Sequence, residues 1–250
     1  MIKKVLKNIF KMAGYNITGT KYILKQFLSP GKILQLDFDH ALSKYLIHSK
    51  QSDNDFTFIQ VGAFDGVECD PLLKYLQRFD WTGIMLEPQP GPFNKLLDRY
   101  RDRNGITVKN AAISDRNGRA TLYTVEGNGL PEWAKGMASF NKQNISKHGY
   151  MFPKINDHIT ETIVDTITFQ QLLSDHSISK IDLLQIDTEG FDAEILKMFP
   201  FDRLKPNIIH FESKHISKYD LEKVLDDLIS YGYTIGRDRE EDMIAVLEEK

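Results

Sequence analysis

The chain has 250 residues, with 41% apolar and 27% charged side chains, 16 glycines, 9 prolines, one cysteine and a formal net charge of −3. This balance excludes a collagen-like or largely disordered chain and a generic binder of nucleic-acid polyanions. No apolar run approaches the roughly 18 residues that a membrane-spanning helix needs. The single cysteine, Cys69, excludes an internal disulfide framework and a multi-cysteine zinc site, and fits a reducing compartment. It reads as a small buried residue, since nothing near it in sequence marks a nucleophile.

Residues 1–36 contain seven lysines and no acid, so the net negative charge resides in the rest of the chain. Ile2, Val5, Leu6, Ile9 and Phe10 recur at helical spacing opposite Lys3, Lys4, Lys7 and Lys11. That pattern predicts a basic amphipathic helix over 2–13, ending near Gly14. Lysines interleave its apolar residues and no small-residue cleavage site follows, unlike a secretory signal. It reads either as an interfacial helix making peripheral contact with anionic lipid at the inner membrane face, or as a surface helix packed on the domain of a cytoplasmic protein. A second helical pattern over 34–48 uses Leu36, His40, Leu42, Tyr45, Leu46 and Ile47. Together these form a helical preface, 1–50, to a domain over 56–250.

From residue 56 onward, strand and helix patterns alternate. Strands are expected over 56–61, 83–86, 106–109, 181–186 and 207–211, and helices over 72–79, 92–100, 169–173, 191–199 and 221–231. Residues 119–125 alternate in polarity and suggest an edge hairpin turning at 115–118, and 162–167 is extended. Segments 233–237 and 243–247 flank a charged turn and should pair antiparallel. The fold class is therefore α/β, a mostly parallel seven-stranded sheet with helices on both faces. Such sheets bind ligands at the carboxyl ends of their strands, where the strand order reverses.

Four groups stand at those ends. Gly62-Ala63-Phe64-Asp65-Gly66 follows the first strand, where glycines permit a tight turn and close approach of a ligand. Glu87 ends the second strand, 21 residues beyond Gly66, where a carboxylate can accept both hydroxyls of a ribose. Asp187-Thr188-Glu189-Gly190 leaves a strongly apolar strand; buried carboxylates there need a partner, a metal or a raised pKa, although Glu189 could simply cap the next helix. His210 and Glu212 share one face of their strand. Either could orient a hydroxyl or act as base, and a buried, hydrogen-bonded histidine is the plainer account.

In chain order, FIQVGAFDGVECDPL (58–72), GIMLEPQPGPFNKL (83–96), VKNAAISDRNGRATLYTV (108–125), TITFQQLL (166–173) and IDLLQIDTEGFDAEIL (181–196) make the sequence resemble the FkbM family of S-adenosylmethionine-dependent methyltransferases. The resemblance implies a class I methyltransferase (Rossmann-like) fold, in which the closing antiparallel hairpin is expected. It departs from the family at Phe64, where an Asn is usual, and at Gln60, where many relatives carry an acid. It implies that Gly62 to Gly66 line the methionine moiety, Glu87 the ribose, Asn110, Ala111, Ala112 and Asp115 the adenine, and that Asp187 sits near the sulfonium. The implied reaction is transfer of methyl to a hydroxyl oxygen, often of a sugar or a natural product, and a saccharide or glycoconjugate is the acceptor expected here.

In-line displacement from a sulfonium needs alignment more than activation, but a hydroxyl still needs a base or a metal to take its proton. Asp187, Glu189, His210 and Glu212 are the candidates, and so many carboxylates admit a divalent ion. The polar segment 126–159 carries Trp133, Phe140, His148, Tyr150 and Phe152, and reads as an acceptor lid or as a surface insertion. Two other classes remain. A nicotinamide-dependent oxidoreductase is disfavoured because Phe64 and Val67 break the Gly-x-Gly-x-x-Gly spacing. A catalytically silent cofactor-binding module draws its support from Gln60 and Phe64.

Overall fold

The computed structural model describes residues 35–49, 55–130, 134, 136–239 and 241–248. The basic helix expected over 2–13, and Trp133, lie outside them. The described elements start with α1 (Phe38–Ser49) and then alternate β1 (Thr57–Val61), α2 (Leu73–Leu76), β2 (Thr82–Leu86), α3 (Pro90–Tyr100) and β3 (Ile106–Lys109). After a second group of short elements it resumes with α5 (Phe169–Asp175), β8 (Leu183–Ile186), α6 (Asp192–Met198), β9 (Ile208–Glu212), α7 (Lys218–Ser230), β10 (Tyr233–Asp238) and β11 (Asp242–Leu247).

Seven strands form one sheet in the order β10-β11-β9-β8-β1-β2-β3. β11 pairs antiparallel with both its neighbours, while the other pairings are parallel. This is the expected class I methyltransferase arrangement, with the closing hairpin inserted beside β9. The order reverses between β1 and β8, which opens a crevice at their carboxyl ends.

Two apolar layers hold the sheet. On one face, Ile59, Leu184, Ile186, Ile209 and Phe211 pack with Phe169, Ile195, Leu196 and Leu225 from the helices. On the other, Phe38 and Leu42 of α1 join Phe58, Leu76, Met85, Leu96 and fully buried Trp81. Phe56 stacks on Trp81 at 4.0 Å. α2 is shorter than the sequence pattern suggests, because Arg103 takes the carbonyls of Leu76 and Phe79 and the chain turns there. That turn lets Phe79 stack on Trp81 at 5.6 Å.

Buried Asp182 fastens α1 to the sheet. It accepts from Thr57 N at 2.8 Å, from Asn207 Nδ2 at 3.1 Å and from the Tyr45 hydroxyl, and pairs with Lys180 at 2.9 Å. Asp182→Ala strands these donors, so it should destabilise the fold by about 3 kcal/mol in denaturant unfolding. Tyr45→Phe, which removes the hydroxyl's bond to Asp182 and the one it accepts from Asn207 Nδ2 at 2.8 Å, should lose about 1–2 kcal/mol.

The middle of the chain differs from the sequence reading. β4 (Ala112–Ile113), β5 (Gly118–Val125), β6 (Ala138–Ser139) and β7 (Ile159–Ile167) form a second sheet in the order β4-β7-β5-β6. β5 is not half of a local hairpin: it pairs antiparallel with β7, from Gly118 opposite Thr166 to Val125 opposite Ile159. The reason is burial, because Leu122 and Val164 are shielded only when these distant strands meet. Segment 126–159 is likewise built rather than loose. It holds β6, α4 (Lys142–Ser146) and two 3₁₀ turns, and its Leu130, Ala134, Met137, Ile145 and Ile155 form a small core with Val125.

Candidate active site

Strand register aligns the site. Val61 lies opposite both Leu86 and Ile186, Ile186 opposite Phe211, and Glu212 opposite Asp242. The next residue of each parallel strand therefore falls in one row along the crevice: Glu87, Gly62, Asp187, Glu212. A cavity of about 800 Å³ opens above this row, and 136–140, His148, Tyr150 and Met151 form its far wall.

Gly62 is the pivot. Its φ is +80°, and a Cβ there would stand 1.8 Å from the Asp187 carbonyl oxygen. Only glycine lets the β1 and β8 loops touch. Two residues on, Phe64 holds φ +47°, a left-handed conformation that Asn tolerates better than Phe. Its amide donates to Glu87 Oε2 at 2.9 Å, and Gln89 N donates to Oε1 at 2.8 Å. The Gln89 side chain donates to the same carboxylate; of its about four acceptor positions, about one remains for a ligand hydroxyl. Glu87 is 3% exposed, and burial pushes its carboxyl up to about 7 against the two amides and the Gln89 side chain.

Gln60 is buried and donates from Nε2 to Asp70 Oδ1 at 3.0 Å. Leu72 N donates to the same oxygen at 2.8 Å. Gln60 Oε1 and Asp70 Oδ2 are shut from solvent with no hydrogen-bond partner, and both residues line the cavity. Asp70, ten residues further along the same loop, thus sets a carboxylate against the Gln60 amide. Reading motif positions singly misses this contact, although Asp70 belongs to the same loop.

Ala111, Ala112 and Ile113 complete this half of the cavity. Other residues singled out in the sequence do not line it. Asp65 caps the loop by accepting from Val67 N and Glu68 N, each at 3.0 Å. Gly66 is backed by Leu96 and Tyr100. Asn110 shapes the turn by donating to the Glu87 and Pro88 carbonyls at 2.8 and 3.0 Å. Asp115 stands at the surface beside Arg116. Cys69 is exposed at the cavity rim rather than buried, because its left-handed backbone turns it outward.

The opposite half is acidic. Asp187 faces the open cavity. The protein packed around the cleft floor, followed by Asp192, Glu189, Asp242 and Asp70, holds its carboxyl well above the usual range. Burial and the carboxylates of Glu189, Asp187 and Asp192 raise Glu212 to about 9. Beneath them Asp192, fully buried, accepts from the Thr188 hydroxyl at 2.8 Å and from Glu212 N at 3.3 Å, tying the two strand-end loops together. His215, which no signal in the sequence marks, sits between Glu189 and Glu212. Burial, with Lys147 and His148 nearby, lowers it to about 4, so it is neutral.

His210 is not at this site. It lies two residues deeper in β9, with Nδ1 on Gln185 at 2.8 Å, Nε2 on Asp238 at 3.0 Å and its ring against Phe38 at 4.5 Å. Alternation places it on the correct face, but α1 roofs that part of the face.

The model of the FkbM methyltransferase domain matches residues 60–235. The chain belongs to the FkbM methyltransferase family. The 2-O-methyltransferase NoeI of Sinorhizobium fredii (strain NBRC 101917 / NGR234) is 23% identical over 183 residues, 71% of this chain and 72% of that protein. The crystal structure of an FkbM methyltransferase from Methylobacillus flagellatus KT superposes with a TM-score of 0.50 at 18% identity, and supports the fold. It covers 98% of this chain, which spans 60% of that longer protein. Among the described residues of this FkbM protein, no helix is long and apolar enough to cross a membrane.

Proposed function

We propose that this chain binds S-adenosylmethionine across the carboxyl ends of β1 and β2 and transfers its methyl group to a hydroxyl oxygen of a saccharide or glycoconjugate. The observation that carries the reading is Glu87: a buried carboxylate at the end of β2, held by one backbone amide on each oxygen and by the Gln89 side chain, and lining the cavity with acceptor capacity left for a ligand hydroxyl. The unpartnered Gln60 Oε1 and Asp70 Oδ2 fit the same ligand, because they suit the ammonium group of its methionine moiety. The name of the rhizobial relative denotes transfer to oxygen.

The cofactor, when bound, supplies a methyl group on a positively charged sulfur, open to in-line attack. The chain's own work is placement and proton handling. Glu87 accepts a ribose hydroxyl, Ala111 and Ala112 leave room for a flat base, and Asp70 with Gln60 holds the ammonium. Asp187 lies in the row between Gly62 and Glu212, where its charge favours the sulfonium. The acceptor hydroxyl enters over Glu189 and Glu212, beneath the wall formed by Phe140, His148 and Tyr150. Its proton passes to the Asp187 carboxylate, whose raised basicity matches the task.

Titration calorimetry with S-adenosylhomocysteine tests the reading, with NADH as the competing ligand. Wild-type protein is expected to bind the first at micromolar Kd and not the second. Asp70→Asn, which keeps the shape and removes the charge, should weaken binding about tenfold, or about 1.4 kcal/mol. Binding of NADH alone, or of neither ligand, overturns the proposal.

A further inference from the structure

We propose that Glu189, Glu212 and His215 form a divalent-metal site on the acceptor wall of the cavity, holding an ion that binds and acidifies the acceptor hydroxyl. The ion's role rests on the function proposed above, but its binding does not.

One ligand atom from each of the three residues lies within 4.8 Å of the others. His215 Nε2 stands 3.5 Å from Glu189 Oε2 and 3.7 Å from Glu212 Oε1. Those gaps are too long for good hydrogen bonds, so the three side chains approach without satisfying one another. They suit a shared ion: bonds of about 2.1 Å set two ligands about 3.0 Å apart at a right angle and about 3.4 Å apart at the tetrahedral angle. The two gaps from His215 lie within a few tenths of an ångström of the tetrahedral value, and the third lies within 4.8 Å.

Glu212 adds an independent sign. Its side chain is 12% exposed, and its Oε2 is sealed from solvent with no hydrogen-bond partner. Buried polar atoms are rarely left so, and each asks for an explanation. The nearest cation on this strand end, Lys214, is engaged with Glu241 at 2.7 Å. A second trio in the same molecule behaves differently. His210, Asp238 and Asp242 are equally close, but there the histidine is already bonded to Asp238 and Gln185. That group is closed, and the Glu189 group is open.

The supports are built for this meeting. Asp192 binds the Glu212 amide and the Thr188 hydroxyl, which fixes the two carboxylate-bearing loops from below. A Cβ on Gly190, whose φ is +103°, would come within 3.0 Å of His215 Cβ, so glycine lets the imidazole approach Glu189. One imidazole with two carboxylates suits a first-row ion such as Mn²⁺, Fe²⁺ or Zn²⁺ better than Ca²⁺. Three protein ligands leave coordination positions open, as catalytic sites require. A hydroxyl bound there would lose its proton more readily, to the neighbouring Asp187 carboxylate, as the C–O bond forms and the cofactor's C–S bond breaks with its electron pair going to sulfur.

The test is Mn²⁺ titration of chelator-treated full chain, followed by electron paramagnetic resonance, without cofactor or acceptor. Wild type is expected to bind about one Mn²⁺ per chain with Kd of about 100 µM or tighter. His215→Asn and Glu212→Gln should each weaken it more than about tenfold, given that each removes one of three ligands. Retained S-adenosylhomocysteine binding in the presence of chelator shows that the variants are folded. Should a variant fail that check, Glu189→Gln replaces it. Equal Mn²⁺ affinity in wild type and variants, or no binding of Mn²⁺ or Zn²⁺ at millimolar concentration, overturns the site. Mn²⁺ binding without S-adenosylhomocysteine binding would leave the metal site standing and refute the cofactor reading, and the reverse result would refute the metal alone.

Discussion

Gly62→Ala is expected to abolish measurable cofactor binding and to lower the melting temperature by about 10 °C, from about 3–4 kcal/mol of destabilisation. Two penalties add at this position. A left-handed backbone with a Cβ costs about 1–2 kcal/mol. The Cβ would also lie 1.8 Å from the Asp187 carbonyl oxygen and 3.2 Å from Thr188 Cγ2. A backbone oxygen cannot swing aside as a side chain can, so the loop after β8 must move. That loop carries Asp187 and Glu189, and Gly62 itself is bonded to the β2 end through Leu86 O at 3.0 Å. The shift therefore spreads to both halves of the cavity, and S-adenosylhomocysteine affinity should fall more than about 100-fold, the scale of an ångström-level misplacement. Gly91→Ala is the control: it lies in α3 with no atom within 4 Å of where its added methyl would stand, and should leave both measurements unchanged.

The second large effect is a pH dependence set by Glu87. Ribose hydroxyls donate, so they need its carboxylate form, yet burial holds the carboxyl near about 7. Below that pH the bound proton must leave when the ligand enters. S-adenosylhomocysteine affinity should therefore fall up to about tenfold for each pH unit below 7 and level off above it, with proton release on binding. Asp70, raised by burial in the same direction, adds to the slope. Glu87→Gln should flatten most of the dependence and lose about 30-fold in affinity at pH 8, the worth of charge-assisted bonds. Calorimetry in buffers of different ionisation enthalpy separates the proton term. Without ligand the sign is different. A carboxyl whose folded pKa exceeds its unfolded value binds its proton more tightly in the native state, so its contribution to stability declines as pH rises from about 4.5 to 7. Glu87→Gln should remove about 3 kcal/mol of that decline, read as a difference in unfolding free energy between pH 5 and pH 8. An unchanged profile in the variant would place the titrating group elsewhere.

Local signals along the chain suffice for the strands of the main sheet, the closing hairpin, and the emergence of Gly62, Glu87, Asp187 and Glu212 at strand ends. An apolar run of five residues between polar turns records a buried strand, and the polar residue that ends it records where the chain emerges. Glycine after β1 records a backbone that a side chain would obstruct. Periodicity also puts His210 and Glu212 on one face.

Which of those side chains meet is settled only once the chain is folded. Asp70 sets its carboxylate beside Gln60 because the loop folds back ten residues later. His215 joins Glu189 and Glu212 because Gly190 admits it. His210 is withdrawn because Phe38, 172 residues earlier in the chain, covers its ring. β5 pairs with β7 rather than with a neighbour because their apolar faces are buried only together. The physical reason is common to all four. Alternation and burial patterns depend on a residue's own neighbours, whereas contacts between loops depend on strand register and on helices arriving from elsewhere in the chain, which no local pattern encodes.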